Sequence, residues 1–195
     1  MNFRDRDGRR LQNDTDDNWL KPAMAEAYRV LKYNRLMLCF YGWSRVEKFI
    51  EAWRSAGFRP VGHVVFQKSY TSKASFLKYQ HEQAYLLAKG NPPLPTNPLS
   101  DVRRLVYTGN KLHPTQKAAM SLVPLIRTFS LPGEVVLDCF CGSASTCAAA
   151  LLTGRKYIGI EMDPDYYEIA RQRMERVKNR IAAKRSCSVL IPTLR

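Results

Sequence analysis

The stretch that most constrains the fold of this chain is residues 135–161, which has the sequence VVLDCFCGSASTCAAALLTGRKYIGIE. An apolar run ends in Asp138, small residues surround Gly142, an alanine-rich segment follows, and a second apolar run ends in Glu161. This order predicts a strand, a tight turn, a helix and a second strand. Backbone N–H groups at a helix start bind polar ligands, and a carboxylate after the second strand can accept both hydroxyls of a ribose. The stretch therefore fits an adenosine-containing cofactor. A purely structural unit is the alternative, because a strict G-x-G-x-x-G is absent.

Apolar periodicity predicts alternating strands and helices in the rest of the chain. Further strands are predicted at 36–41, 61–66 and 84–88. Helices are predicted over about 20–33, over 44–56, after 113–115, and from about Tyr166 onward. For the second helix, Ser44 is the predicted N-terminal cap and Gly57 the left-handed residue that ends it. Pro124 is expected to kink or interrupt the third helix. Strands that are apolar throughout are typical of a sheet covered on both faces, so we predict an α/β fold around a largely parallel sheet.

Residues 67–112 break this alternation. They include the proline-rich segment NPPLPTNP at 91–98, which favours extended backbone. We therefore predict one domain over 1–195, with 67–112 as a target-recognition or linker excursion beside the sheet.

The charge of the chain indicates a polyanionic partner. There are 31 Lys and Arg residues against 17 Asp and Glu, a net charge of +14. Cationic side chains gain affinity for phosphates by releasing counterions. Candidates for DNA contact come from runs that mix cations with aromatic rings: Lys68, Tyr70, Lys73, Lys78, Arg103 and Arg104. A solvated loop is the alternative.

The cysteines and the apolar runs exclude several other classes. Five cysteines give no disulfide framework, and the C-x-C pair at 139 and 141 lacks a second ligand pair at zinc-finger spacing, so we predict no metal site. No run approaches the roughly 18 apolar residues that cross a bilayer, and the start of the chain is too polar for a signal peptide. We expect a cytoplasmic protein.

Several spaced motifs together resemble one family. They are LHPTQK at 112–117, D-x-F-x-G-S at 138–143, GR at 154–155, IGIE at 158–161 and the segment 167–173. In this order they resemble the S-adenosylmethionine-dependent DNA amino-methyltransferases of the β arrangement, in which the catalytic motif precedes the cofactor motifs. The resemblance implies a Rossmann-like sheet with circularly ordered motifs and S-adenosylmethionine as cofactor. It further implies methyl transfer to adenine N6 of a base flipped out of duplex DNA, association with the nucleoid, and a place in restriction–modification.

The resemblance also implies roles for individual residues. The loop that covers the methionine part of the cofactor matches His113, Pro114, Thr115, Gln116 and Lys117, and the first cofactor turn matches Asp138, Phe140, Gly142 and Ser143. Glu161 matches the acid that holds the ribose. Ala144 and Ser145 stand where the family usually has Gly and Thr. The methyl group of Ala144 is expected to hinder backbone approach unless φ is negative there.

The catalytic motif of the family, D-P-P-Y, does not occur in the sequence. The family commonly carries it directly before a segment like NFRDRDGR, which here occupies 2–9. We therefore expect the chain to begin just after its catalytic tetrapeptide and to lack the central strand that delivers it. Asn91 of the sequence NPPL is a weak substitute, because Leu94 cannot stack on a base.

Alternative functions stay open at this point. One is a truncated, catalytically silent protein that binds cofactor or DNA, or a fragment completed by a second copy or another polypeptide. Others are a cytosine-N4 methyltransferase and a methyltransferase that acts on RNA or a small molecule.

Overall fold

The computed structural model describes residues 17–72 and 75–188. The segment 2–9 and the DNA-contact candidate Lys73 lie outside these residues. The chain groups into two compact units, Met1–Gly109 and Asn110–Arg195, which are described separately. The prediction of one domain over 1–195 stays a prediction. In the described ranges, no helix has the length and apolar character needed to cross a membrane.

The first unit is a four-stranded sheet with two helices. Its elements in chain order are α1 (Leu20–Val30), β1 (Arg35–Phe40), a 3-10 turn (Trp43–Arg45), α2 (Val46–Ala56), β2 (Arg59–Lys68), β3 (His81–Lys89) and β4 (Val102–Leu105). The strand order is β1-β3-β2-β4, with β3 antiparallel to both β1 and β2, and β4 parallel to β2. The strands β1, β2 and β4 therefore run in the same direction and end at the same edge of the sheet, which we call the carboxyl edge.

This sheet differs from the prediction in two ways. It is mixed rather than largely parallel, because β3 lies between β1 and β2 and pairs antiparallel with each. Moreover, β3 and β4 belong to the segment 67–112, so the predicted excursion beside the sheet is wrong: the segment supplies two of the four strands of the sheet itself. Its role in target recognition stays a prediction.

The core of the first unit forms where α1 and α2 pack together and against the sheet. Leu20, Trp53, Phe58 and Leu87 are among its fully buried side chains. Gly57 ends α2 with a φ of +100°, which confirms the predicted left-handed terminator. The predicted cap is wrong, because Ser44 lies in the 3-10 turn and α2 begins at Val46 without a side-chain cap.

The second unit is built around a parallel strand pair. Its elements are α3 (Ala119–Phe129), β5 (Val135–Asp138), α4 (Ser145–Leu152), β6 (Lys156–Gly159) and α5 (Pro164–Ser188). β5 and β6 are parallel and connected through α4, which confirms the strand–turn–helix–strand prediction. The buried face of α5 also agrees with its predicted apolar stripe, since Tyr166, Ala170 and Met174 are buried.

Pro124 does not interrupt α3, which continues from Ala119 to Phe129. The predicted interruption is wrong because the proline lies in the second turn. There its missing N–H removes the bond to the carbonyl of Met120, and its ring crowds that carbonyl, without ending the helix.

In the part of the chain that the structure describes, the helix that packs closely on the β5–β6 pair is α4, on one face of the pair. Leu137 and Ile158, which are register partners on the other face, are exposed. Among the described residues, the strand that pairs with β5 is β6. The predicted lack of a central strand stays a prediction.

Candidate functional site

The turns that follow β5 and β6 are joined by backbone hydrogen bonds. The Ile160 amide donates to the Asp138 carbonyl at 2.9 Å, and the Cys141 amide donates to the Ile160 carbonyl at 2.9 Å. The Asp138 carboxylate accepts a bond from the Phe140 amide at 3.1 Å, which shapes the first residues of the turn. The turn after β5 is therefore held in place by its own aspartate and by the neighbouring strand.

Glu161 connects the same two turns through its side chain. Its Oε2 atom accepts a bond from the Gly142 amide at 2.8 Å, and its Oε1 atom accepts one from the Asp163 amide at 3.0 Å. A carboxylate oxygen can accept two bonds, so each oxygen keeps a further acceptor position. The carboxylate is fixed at the carboxyl ends of the two parallel strands, where ligands bind in open α/β sheets.

Two residues of the turn have left-handed backbone. Gly142 has a φ of +49°, and a Cβ atom there would come within 3.2 Å of the His113 ring. Ala144 has a φ of +60° and directly precedes α4. This conformation explains why glycine suits the position in the family, because an L-residue in it is strained by about 1–2 kcal/mol.

The segment 113–117 forms a compact loop beside this turn. His113 Nδ1 accepts a bond from the Thr115 amide at 3.2 Å, and the Gln116 side chain accepts one from the Leu112 amide at 3.1 Å. Pro114 contributes its carbonyl, which accepts a bond from Asn110 at 2.6 Å. The Lys117 carbonyl accepts a bond from the Ser145 hydroxyl at 2.6 Å, which ties the loop to the first turn of α4.

His113 is the titratable group at the centre of this arrangement. Its ring lies 4.3 Å from the Tyr166 ring, between centroids. Burial lowers the pKa of His113, an effect that the nearby Glu161 carboxylate opposes and the Lys117 ammonium adds to. The imidazole is therefore held in its neutral form, with Nδ1 as an acceptor.

Arg173, a residue of α5, donates hydrogen bonds to the turn that follows β5. Its guanidinium donates to the Ser143 carbonyl at 2.8 Å and to the Ser145 hydroxyl at 2.9 Å, with the Ser143 hydroxyl at 3.3 Å. Burial lowers the pKa of Arg173, and Arg176 adds to the effect. Sequence reasoning assigned this residue no role. The available signal was its helical spacing from Tyr166 and Ala170, which places a cation beside the buried face of α5.

The two cysteines near the turn fill the contact between α4 and β6. A Cβ atom on Gly159 would lie 2.7 Å from the Cys147 sulfur and 3.1 Å from the Cys141 sulfur. The hydrogen bond that the Cys147 thiol donates to the Cys141 sulfur, together with burial, raises the pKa of Cys147. Cys147 therefore stays a small buried thiol, and Gly159 allows the helix to approach the strand.

The DNA-contact candidates that the structure describes lie in the first unit, in different environments. Lys68 is buried, donates to the Ser72 hydroxyl at 2.9 Å and lies 5.6 Å from the Tyr70 ring centroid. Lys78 is exposed. Arg103 and Arg104 are consecutive in β4, so their side chains point to opposite faces of the sheet. The five candidates that the structure describes therefore do not form one continuous cationic surface.

Asn91 lies far from the carboxyl edge of its sheet. It follows β3, whose last residue Lys89 pairs with Arg35 at the start of β1. Its amide donates to the Asn34 side chain at 2.9 Å, and its side-chain oxygen accepts a bond from Arg59 at 3.3 Å. These contacts stabilise a turn and do not favour the catalytic substitution.

Comparison with protein families gives one match that covers most of the chain. The family model described as DNA methylase, of the N6/N4 type, matches residues 3–172. The putative methylase YubD of Escherichia coli K12 is 54% identical over 178 residues, which span 91% of this chain and 78% of YubD. The DNA adenine methyltransferase YhdJ of the same organism is 29% identical, over 81% of this chain and 66% of YhdJ.

Solved structures share the fold at low sequence identity. The M1.HpyAVI–SAM complex has a TM-score of 0.71 at 22% identity and covers 82% of this chain and 84% of the other. The PvuII DNA methyltransferase, described as cytosine-N4-specific, has a TM-score of 0.68 at 16% identity and covers 84% of this chain and 76% of its own. These similarities confirm a Rossmann-like methyltransferase fold.

Proposed function

This chain belongs to the N6/N4 DNA methylase family, and from that premise we propose that it takes part in methylating the N6 amine of adenine in duplex DNA. The choice of adenine is supported by YhdJ, whose name specifies adenine and whose similarity extends over 81% of this chain. The similarity to the cytosine-N4 enzyme is one of fold, at 16% identity.

The observation that carries the proposal is the position of Glu161. Its carboxylate is oriented by two backbone amides at the carboxyl ends of β5 and β6, and each oxygen keeps an acceptor position. Phe140, Ile160 and Met162, which flank the turns, expose apolar surface. A carboxylate next to apolar surface fits a ribose that carries an adenine ring.

S-adenosylmethionine, the cofactor of this family, supplies an activated methyl group when bound. In our proposal Glu161 holds the ribose hydroxyls, and Gly142 and Ser143 bring the backbone of the turn close to the cofactor. The loop His113–Lys117 covers the methionine part. The neutral His113 ring adds no positive charge next to the cofactor, whose sulfonium is itself cationic.

The step that activates the base is assigned to no residue here, because the sequence contains no D-P-P-Y. Phosphate contacts are proposed for the exposed cations Lys78 and Arg104, since exposed cations bind DNA backbone with little geometric demand. Lys68 is proposed to support Tyr70 instead, because its ammonium is already bonded within the unit. We place the protein in the bacterial cytoplasm, where its DNA substrate lies.

Cofactor binding and base identity are tested separately. Calorimetric titration with S-adenosylmethionine compares Glu161→Gln and Glu161→Ala with Glu134→Gln, a matched control whose carboxylate also accepts a backbone bond, from the Leu131 amide. We expect the Glu161 variants to lose about 1.5–3 kcal/mol of binding free energy, the usual contribution of a charged hydrogen bond, and the control to lose none. Unchanged affinity in Glu161→Ala contradicts the assignment.

The base is identified from labelled methyl transferred to unmethylated DNA, followed by mass spectrometry of the nucleosides. N6-methyladenine supports the proposal, whereas N4-methylcytosine overturns the choice of base. If a folded chain binds cofactor and transfers no methyl, the silent cofactor-binding alternative replaces the proposal.

A further inference from the structure

Aromatic side chains collect at the carboxyl edge of the first unit. Three loops leave this edge, one after each of β1, β2 and β4, because these three strands run in the same direction. Trp43 lies in the first loop, Tyr70 and Tyr79 in the second, and Tyr107 in the third. We call these four residues, together with Phe76, the aromatic edge.

Ring contacts connect the loops in pairs. The Trp43 and Tyr79 rings stack with centroids 5.9 Å apart and planes 17° apart. The Tyr70 and Tyr107 rings lie 4.6 Å apart at 57°. Each pair joins residues of two different loops, so the aromatic edge is built by the fold and is not a run of neighbours in sequence.

The supporting backbone is well connected. The second loop closes on itself through bonds from the Lys68 amide to the Gln80 carbonyl at 2.8 Å and from the Ser72 amide to the Tyr79 carbonyl at 3.0 Å. The first loop is fixed by an ion pair of 2.6 Å between Arg45 and Asp17. Backbone hydrogen bonds on the Tyr79 side and an ion pair on the Trp43 side therefore hold the stacked pair in place.

A large apolar surface is nevertheless left exposed. Trp43 is 53% exposed although Tyr79 covers one of its faces, and Phe76 is 100% and Leu77 70% exposed. Exposed aromatic side chains at this density mark a binding surface. The loops 41–46, 69–80 and 106–109 contain no Asp or Glu, and the second loop carries Lys78 beside Leu77. The edge therefore suits an anionic partner with flat apolar rings.

We propose that the aromatic edge binds DNA by stacking an unpaired nucleobase on the open face of Trp43, with Phe76 against a neighbouring base. This rests on the proposed function for the identity of the substrate as DNA. Base stacking on aromatic side chains is independent of sequence and of charge, because every base has a flat face. It would hold the strand at bases that have left the duplex stack, as the extrusion of a target base requires.

The test measures affinity for a duplex oligonucleotide with one unpaired adenine and for its fully paired counterpart. We expect Trp43→Ala to weaken binding of the first duplex by roughly 5- to 150-fold, and Trp43→Phe by less, because phenylalanine keeps a ring. The slope of log affinity against log salt should not change, since no phosphate contact is lost. The matched control is Tyr33→Ala, which removes a 70% exposed aromatic ring that precedes β1, at the opposite edge.

Fluorescence gives a second measurement. The other two tryptophans lie in or against the core, Trp53 fully buried and Trp19 partly buried, so quenching of tryptophan emission by the bulged duplex should be lost in Trp43→Phe and kept in Trp53→Phe and in Trp19→Phe. The inference is overturned if Trp43→Ala binds the bulged duplex as tightly as the native chain, or if Tyr33→Ala loses as much affinity as Trp43→Ala. In either case, methyl transfer by the native chain still upholds the proposed function. Failure of the native chain to bind any DNA overturns both.

Discussion

Replacing Arg173 by methionine tests how the turn after β5, which we propose binds the cofactor, is kept in its conformation. Methionine keeps most of the length and apolar surface of the side chain and removes the guanidinium. The two bonds of 2.8 and 2.9 Å to the Ser143 carbonyl and the Ser145 hydroxyl are then lost. The Ser145 hydroxyl keeps its bond to the Lys117 carbonyl, whereas no other residue within 17–72 and 75–188 donates to the Ser143 carbonyl.

The expected loss of cofactor affinity follows from the hydrogen bond to the Ser143 carbonyl. A hydrogen bond from a charged donor contributes about 1.5–3 kcal/mol, and its loss releases a turn in which Gly142 and Ala144 are both left-handed. If cofactor binding must restore the order of this turn, the same free energy is missing from binding. We therefore expect S-adenosylmethionine to bind about 10- to 150-fold more weakly to Arg173→Met, with Arg173→Lys in between.

Arg155 provides the matched control. It is a buried arginine of the second unit, whereas Arg173 is partly buried, and it bonds to the carbonyls of Ser130 and Thr153, but it precedes β6, at the end of the strand opposite to Glu161. Calorimetric titration at a temperature where circular dichroism shows both variants folded separates the two effects. Arg155→Met should lose unfolding free energy and keep cofactor affinity. Equal losses of affinity in the two variants would refute the bracing role.

Three further predictions concern the same unit. Each of Ala144→Gly and Ala148→Gly removes a buried methyl group, but of the two residues only Ala144 has left-handed backbone. The loss of unfolding free energy, measured by urea denaturation, should therefore be at least about 1 kcal/mol smaller for Ala144→Gly. Equal losses in the two variants would contradict this. Gly159→Ala should cost about 1–3 kcal/mol through overlap with Cys147, and Cys147→Ala should restore part of it, as a double-mutant cycle would show. Folding lowers the pKa of His113, so as the pH falls the unfolded chain takes up a proton before the folded chain does. The free energy of unfolding should therefore decrease as the pH drops below about 6.5. The decrease should be smaller in His113→Gln.

The β5–α4–β6 unit was predictable from sequence because its signals are local. Asp138, Gly142 and Glu161 lie within one strand–helix–strand unit, and the parallel pairing of β5 with β6 brings the ends of the two strands together without help from distant segments. The same reasoning placed Ala144 at a position where the sign of φ decides the effect, and φ is positive there.

The first unit was less predictable because its arrangement depends on pairings between distant residues. An apolar run such as residues 84–88 predicts a strand but says nothing of its direction, and β3 lies between β1 and β2 only through bonds that join residues far apart in the chain. That insertion is what aligns β1, β2 and β4 and gathers their loops at one edge. Trp43 had no sequence neighbour to mark it, since its stacking partner Tyr79 is 36 positions away in a different loop.

Lys68 shows how the same long-range packing changes the meaning of a charge. In sequence it is one of several cations among aromatic residues, all equally suited to phosphate. In the fold it ends β2, the neighbouring strands bury it, and its ammonium bonds to Ser72 inside the loop that presents Tyr79. Lys68→Met should therefore weaken DNA binding by loosening the aromatic edge and leave the salt dependence unchanged. Lys78→Met, at an exposed position of the same loop, should lower the salt slope by about one phosphate contact. The reverse result in fluorescence-anisotropy titrations over a range of salt would mean that Lys68 reaches the DNA backbone itself.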